Sequence, residues 1–140
     1  MTIKIIKDCS AVNWDEVRLI LKSVGMGYYP SDFHKTAFEN SREVIFIYDD
    51  KKLVAFGRMI SDGAYQGVIY DVAVREEYQG RELGRTVMEN LLFGNEKLNI
   101  ILYATPGKED FYRKFNFRSA ETAMAKFVNA EAMSLKGFTD

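Results

Sequence analysis

The stretch Gln79-Gly80-Arg81-Glu82-Leu83-Gly84-Arg85 sets two glycines and two arginines just before apolar residues at helical spacing. Upstream, Val68 to Val74 is rich in β-branched residues and predicts a strand, and Arg75-Glu76-Glu77-Tyr78 an acidic turn. A strand that feeds a tight glycine loop opening a helix makes an anion site. The first-turn N–H groups lack intrahelical partners and point along the positive end of the helix dipole. A diphosphate fits such a cradle. Neither a Gly-Lys-Ser/Thr nucleotide loop nor a G-x-G-x-x-G dinucleotide fingerprint is present. Many strand–loop–helix units carry a glycine only for the turn, so the loop alone names no ligand.

The elements that would position this loop are legible from periodicity. Residues 2–7 alternate as a first strand. Trp14, Val17, Ile20, Leu21 and Val24 recur at helical spacing over 14–24, with Asn13 as cap and Gly25 as stop. Residues 25–30 form a loop carrying Tyr28 and Tyr29. Ser31 is expected to cap a second helix over 32–40, with Phe33, Ala37 and Phe38 inward and His34 exposed on its polar side. Strands at 43–49 and 53–60 make a hairpin, and Gly57 marks a bulge or a close backbone approach. A fourth strand covers 66–75. The helix at 83–94 buries Leu83, Val87, Met88, Leu91 and Leu92. The near-continuous apolar run 99–104 predicts a central buried strand. A helix at 107–115 follows, and the tail 117–138 is expected to add one or two antiparallel strands and a short helical turn. The fold class is therefore α/β of the α+β type: a mixed, mostly antiparallel sheet of six to seven strands flanked by helices, in one domain spanning 1–140.

Composition narrows the function classes. The chain has 140 residues, with 19 Lys and Arg against 20 Asp and Glu, so it lacks the basic excess that nucleic-acid binding requires. With a single cysteine, Cys9, and a single histidine, His34, neither an internal disulfide nor a Cys/His metal site can form. Cys9 is expected to pack rather than react. No stretch approaches the roughly 20 apolar residues of a membrane span, and the expected location is cytoplasmic. A homodimer through the C-terminal strands is one expectation for Phe127, Met133, Leu135 and Phe138; completion of the core is the other.

A second pattern lies about 30 residues beyond the loop. The chain resembles the GNAT acetyltransferases at both places. Their acetyl-CoA motif is Gln/Arg-x-x-Gly-x-Gly/Ala after a strand and before a helix. Gln79 and Gly84 fit it, and Glu82 stands where the family has glycine. The family's other signature, Phe-Tyr-x-Lys-x-Gly-Phe, is matched by Phe111-Tyr112-Arg113-Lys114-Phe115-Asn116-Phe117, with Asn116 for glycine, a residue that tolerates the left-handed conformation. The likeness covers roughly 44–118.

The resemblance implies an enzyme that moves an acetyl group from acetyl-CoA directly to a primary amine of a small molecule. It implies that backbone N–H groups of Gln79, Gly80, Arg81, Glu82, Leu83, Gly84 and Arg85 hold the pyrophosphate. Val72, Ala73 and Val74 would pair with the pantetheine arm, and Thr105, Lys108, Phe111 and Lys114 would complete the cofactor site. Tyr112 would protonate the departing thiolate, a role suited to a phenol whose ordinary pKa is near 10. Asp71 would act as base through a water, or else pair with a basic side chain. Tyr28, Tyr29, Arg58 and Tyr65 would line the acceptor site. Glu82 leaves an alternative open, a GNAT-like binding or regulatory module with weak or no catalysis. Its charge opposes phosphate, while a helical φ there would need no glycine.

Overall fold

A computed structural model describes the whole chain, Met1–Asp140, as two compact units, Met1–Leu102 and Tyr103–Asp140. The first holds β1 (Ile3–Ile6), α1 (Trp14–Ser23), α2 (Ser31–Glu39), β2 (Glu43–Asp49), β3 (Lys52–Ser61), β4 (Gln66–Val74), α3 (Leu83–Leu92) and β5 (Asn99–Leu102). The second holds two short helices, α4 (Glu109–Arg113) and α5 (Ala130–Leu135).

The sheet runs β1-β2-β3-β4-β5, antiparallel except for the β4–β5 pair. That parallel pair needs a crossover, which α3 supplies. The sheet has five strands rather than six to seven, because the tail forms none. Residues 119–132 are rich in Ala, which fits a pleated surface poorly. The strands expected to pair a homodimer are thus absent. Phe127, Met133 and Phe138 are half-buried, and only Leu135 of the four is exposed.

Helix α1 starts where expected. Asn13 Oδ1 accepts the N–H groups of Asp15 and Glu16. At the other end Gly25 takes φ +79° and Met26 N–H reaches back to Leu21 C=O, closing the helix. Helix α2 departs from expectation. Ser31 is its first residue rather than its cap, and its hydroxyl turns to the Asp15 carboxylate. Phe33 faces out while His34 and Phe38 face in. Helices α1 and α2 cover one face of the sheet, where Val17, Ile20, Leu21 and Phe38 meet Val44, Phe46, Tyr48 and Phe56. The rings of Trp14, Phe38, Phe46 and Phe56 stack edge to face or tilted at 5.4–6.4 Å. Cys9 packs against this cluster, and burial raises its thiol pKa, which suits a packed thiol rather than a nucleophile.

Helix α3 packs on β2, β3 and β4. Its inward residues are Leu83, Val87, Met88 and Leu91; Leu92, in its last turn, is half-buried. Gly57 permits this packing, since a Cβ there would lie 2.7 Å from Val87 Cγ1 and 3.2 Å from Leu91 Cδ1. β5 is shorter than expected and ends the strand order, so its apolar run does not mark a central strand: Ile101 is 58% exposed.

Candidate active site

The β4 strand bends where chemistry was expected. Its pairing with β3 shifts register between Phe56↔Ala73 and Arg58↔Tyr70, so Asp71 and Val72 together oppose Gly57. Asp71 absorbs the extra residue at φ +57°, a conformation that Asp tolerates better than most side chains. On its other side β4 pairs with β5 only as far as Ile69↔Leu102, and then runs on to Val74 without a strand beside it. Arg75 N–H donates to Val54 C=O across β3 at 2.8 Å. Backbone groups alternate along a strand, so the N–H groups of Val72 and Val74 point away from β3, toward this open edge. Val74 C=O on that edge accepts from Gln79 Nε2 at 3.1 Å.

The open edge leads into the glycine loop. A single 3₁₀ turn, Glu76–Tyr78, follows β4. Arg75 holds it down through Leu53 C=O (2.9 Å) and Glu16 (3.3 Å), and Tyr78 donates its hydroxyl proton to Asp49 at 2.6 Å. The Arg81 guanidinium lies 5.0 Å from the Tyr78 ring centroid. Gly80 takes φ +81° and Glu82 φ +65°. The first α3 bond runs from Thr86 N–H to Glu82 C=O, so the N–H groups of Leu83, Gly84 and Arg85 precede it without intrahelical partners. This donor set fits a diphosphate.

Glu82 is the departure that matters. Its φ is left-handed, not helical, so the glycine preference at this position is a backbone requirement that the glutamate meets under strain. Its side chain turns outward to Arg85 Nε at 3.1 Å, and the pair is largely exposed. A left-handed non-glycine costs about 1–2 kcal/mol, against at most about 0.5 kcal/mol for an exposed helical ion pair. Glu82→Gly is therefore expected to raise stability by up to about 1 kcal/mol, after the entropy glycine adds to the unfolded chain. Urea melts of the two proteins check this; a less stable variant would contradict the strain argument.

The acceptor-side candidates all lie in the first unit. Arg58 Nε meets Asp71 Oδ2 at 2.7 Å, with side chains only 13% and 22% exposed. The Arg58 guanidinium also faces the rings of Phe38 and Tyr70, at 5.6 and 5.1 Å. Asp71 thus takes the second role considered for it, partner of a basic side chain. Tyr28 carries Arg18 and Lys22 against its ring, and Tyr29 stacks on Phe33. Tyr65 stands apart: it precedes the first residue of β4, about 20 Å along the strand from Asp71.

His34 was missed. It is 3% exposed, and its Nε2 accepts the Tyr29 N–H at 2.9 Å. Burial lowers its pKa, Asp71 opposes that shift, and Arg58 and Arg18 add to it. The polar neighbours Ser31, Asp32 and Lys35 masked its inward direction in the sequence.

The second unit carries the other signature. Lys108 N–H donates to Thr105 C=O, Lys108 precedes α4, and Lys114 closes it. Asn116 takes φ +70°, the left-handed conformation anticipated for it. The Tyr112 ring packs edge-on to Phe111 and Phe117 at 5.0 and 6.2 Å, and burial raises its pKa above the ordinary value.

A β4 edge left open beyond Ile69 and running into an N–H cradle belongs to an acetyltransferase-type fold. The profile of the Acetyltransferase (GNAT) domain matches residues 40–119, and the chain belongs to the GNAT family of N-acetyltransferases. An uncharacterized N-acetyltransferase ycf52 of Pyropia yezoensis is 34% identical over 113 residues, covering 76% of this chain and 65% of that protein. Serotonin N-acetyltransferase 2, chloroplastic, of Oryza sativa subsp. japonica is 41% identical over 91 residues, covering 59% of this chain and 45% of that protein. The chain thus spans about half to two thirds of these relatives. The fold is shared with a probable acetyltransferase of Staphylococcus aureus, at a TM-score of 0.81 and 23% identity over 90% of this chain and 98% of that one. It is also shared with glucosamine-6-phosphate N-acetyltransferase of Arabidopsis thaliana, at a TM-score of 0.66 and 21% identity over 91% and 99% of the two chains. No helix is long and apolar enough to cross a membrane.

Proposed function

We propose that the chain transfers an acetyl group from acetyl-CoA directly to a primary amine of a small molecule, the two units acting as one domain. The matched region, residues 40–119, runs across the division between the units and supports that unity. The observation that carries the reading is the open β4 edge at Val72 and Val74, continuous with the partnerless N–H groups at the start of α3. Acetyl-CoA supplies the acetyl group as a thioester. The Leu83, Gly84 and Arg85 N–H groups hold its diphosphate. Val72 N–H, facing the edge, polarises the acetyl carbonyl, and the phenol of Tyr112 protonates the leaving thiolate. Thr105, Lys108, Phe111 and Lys114 are proposed to complete the cofactor site, and Tyr28, Tyr29, Arg58 and Asp71 the acceptor site.

The second reading, a GNAT-like binding module, is favoured by the strained and anionic Glu82. A thermal melt with acetyl-CoA separates the two. At a hundred times its Kd, the cofactor adds about 2.7 kcal/mol, a rise of several degrees in Tm. No shift at millimolar acetyl-CoA would sink the enzyme reading. Glu82→Gly is expected to enlarge the shift at low salt more than at high salt, because screening weakens the carboxylate's repulsion of phosphate. Suitable acceptors to screen are serotonin, glucosamine 6-phosphate, 2-phenylethylamine, spermidine and short peptides; the first two follow from the relatives' names.

A further inference from the structure

The loop between α1 and α2 is held at one residue from two sides. Tyr29 N–H donates to His34 Nε2 on α2 at 2.9 Å, and Tyr29 C=O accepts from Arg18 Nε on α1 at 3.0 Å. Both backbone groups of Tyr29 are therefore tied to side chains of different helices. The loop contains Gly25 and Gly27 and would otherwise be mobile. The clamp also sets the rings on either side of the held peptide. Tyr28 lies against the Arg18 and Lys22 cations, and Tyr29 stacks on Phe33 at 6.2 Å with planes 13° apart. His34 is itself fixed, being buried in the α2 face and edge-on to the Tyr29 ring.

We propose that His34 is a positioning residue for the amine acceptor, holding the Tyr28–Tyr29 loop through the Tyr29 N–H. This rests on the acetyltransferase reading for its catalytic consequence, though not for the clamp itself. Accepting that hydrogen bond requires a lone pair on Nε2, so the ring is neutral with its proton on Nδ1. Protonating Nε2 would set two donors against each other and release the loop. The charges acting on the ring are Asp71 from β4, Arg58 from β3 and Arg18 from α1. The two arginines oppose a positive imidazole and Asp71 favours it.

Two measurements test this. His34 is the only histidine, so in the untagged protein its ring resonances need no assignment. A long-range proton–nitrogen correlation spectrum at pH 7 should show the neutral tautomer protonated at Nδ1; the tautomer protonated at Nε2 would overturn the proposal. Tyr29 amide exchange should be slow in the wild type and in His34→Gln, whose side-chain oxygen can accept the bond. It should be roughly tenfold faster in His34→Leu; equal protection in His34→Leu would also overturn the proposal. With 2-phenylethylamine and saturating acetyl-CoA, His34→Leu should raise KM for the amine roughly tenfold with kcat within about twofold. Its acetyl-CoA affinity should be unchanged, and His34→Gln should restore KM. Protonation of the amine raises KM in every variant as pH falls. The wild type should show an additional rise that His34→Gln lacks, at a pH below the ordinary histidine value of about 6.5, because burial lowers the His34 pKa. A lost Tyr29 bond without a change in KM would contradict the positioning role. Absence of any transfer by the wild type would instead count against the acetyltransferase reading, and the tautomer and exchange data would still decide the clamp.

Discussion

Tyr112→Phe is expected to lower kcat by about a hundredfold or more, the usual range for losing a positioned proton donor, while acetyl-CoA affinity changes less than about twofold. The substitution removes one oxygen. No hydrogen bond within the chain holds that hydroxyl, and the ring contacts with Phe111 and Phe117 survive, so the variant should fold normally. The pH dependence follows in sign. Burial raises the phenol's pKa above 10, so the donor stays protonated through neutral pH and the basic limb of kcat should fall above about pH 10. Steady-state kinetics of the two proteins from pH 7 to 10.5 check both statements. A kcat unaltered by the substitution would remove Tyr112 from the chemistry.

Gly57→Ala should be strongly destabilising. The new Cβ would lie 2.7 Å from Val87 Cγ1, 3.2 Å from Leu91 Cδ1 and 3.3 Å from Val72 Cγ2. Val87 is β-branched and stiff, so α3 must lift from the sheet rather than rotate a side chain aside. Overpacking of this kind costs about 1–3 kcal/mol. Because α3 opens with the N–H cradle and Val72 lies on the open edge, acetyl-CoA affinity should fall as well. Val87→Ala in the same chain vacates the clashing methyls, so the double variant should be more stable than the sum of the single changes predicts. Denaturant melts of the four proteins measure this coupling. Simple additivity would mean that Gly57 is not needed for close packing.

Gly57 also illustrates what the sequence reveals. A glycine inside a strand has few explanations, and the structure gives a variant of each considered: the bulge lies opposite it on β4, and the close approach is made by side chains of α3. The Asn13 cap, the Gly25 stop, the hairpins and the buried face of α3 were legible for the same reason, since each depends on neighbours a few residues apart. Properties set by distant neighbours were not. The apolar run at β5 reads as a central strand, but strand order decides that, and β5 lies at one end. Polar neighbours on α2 hid His34, which turns inward because α2 packs its other face on the sheet. At Glu82 the motif told that glycine was missing, and only the backbone told that it was missed: φ is left-handed there. The pairing of Asp71 with Arg58 joins residues 13 positions apart, and depends on the β3–β4 register that the bulge creates.

The central claim is acetyl transfer, and the most direct test is mass spectrometry of the amines named above after incubation with acetyl-CoA and either the wild-type chain or Tyr112→Phe. At least one amine should gain a single acetyl group, free CoA should appear in equal amount, and Tyr112→Phe should form the product about a hundredfold more slowly. Acetyl-CoA bound by the wild type with no amine acetylated would contradict that claim.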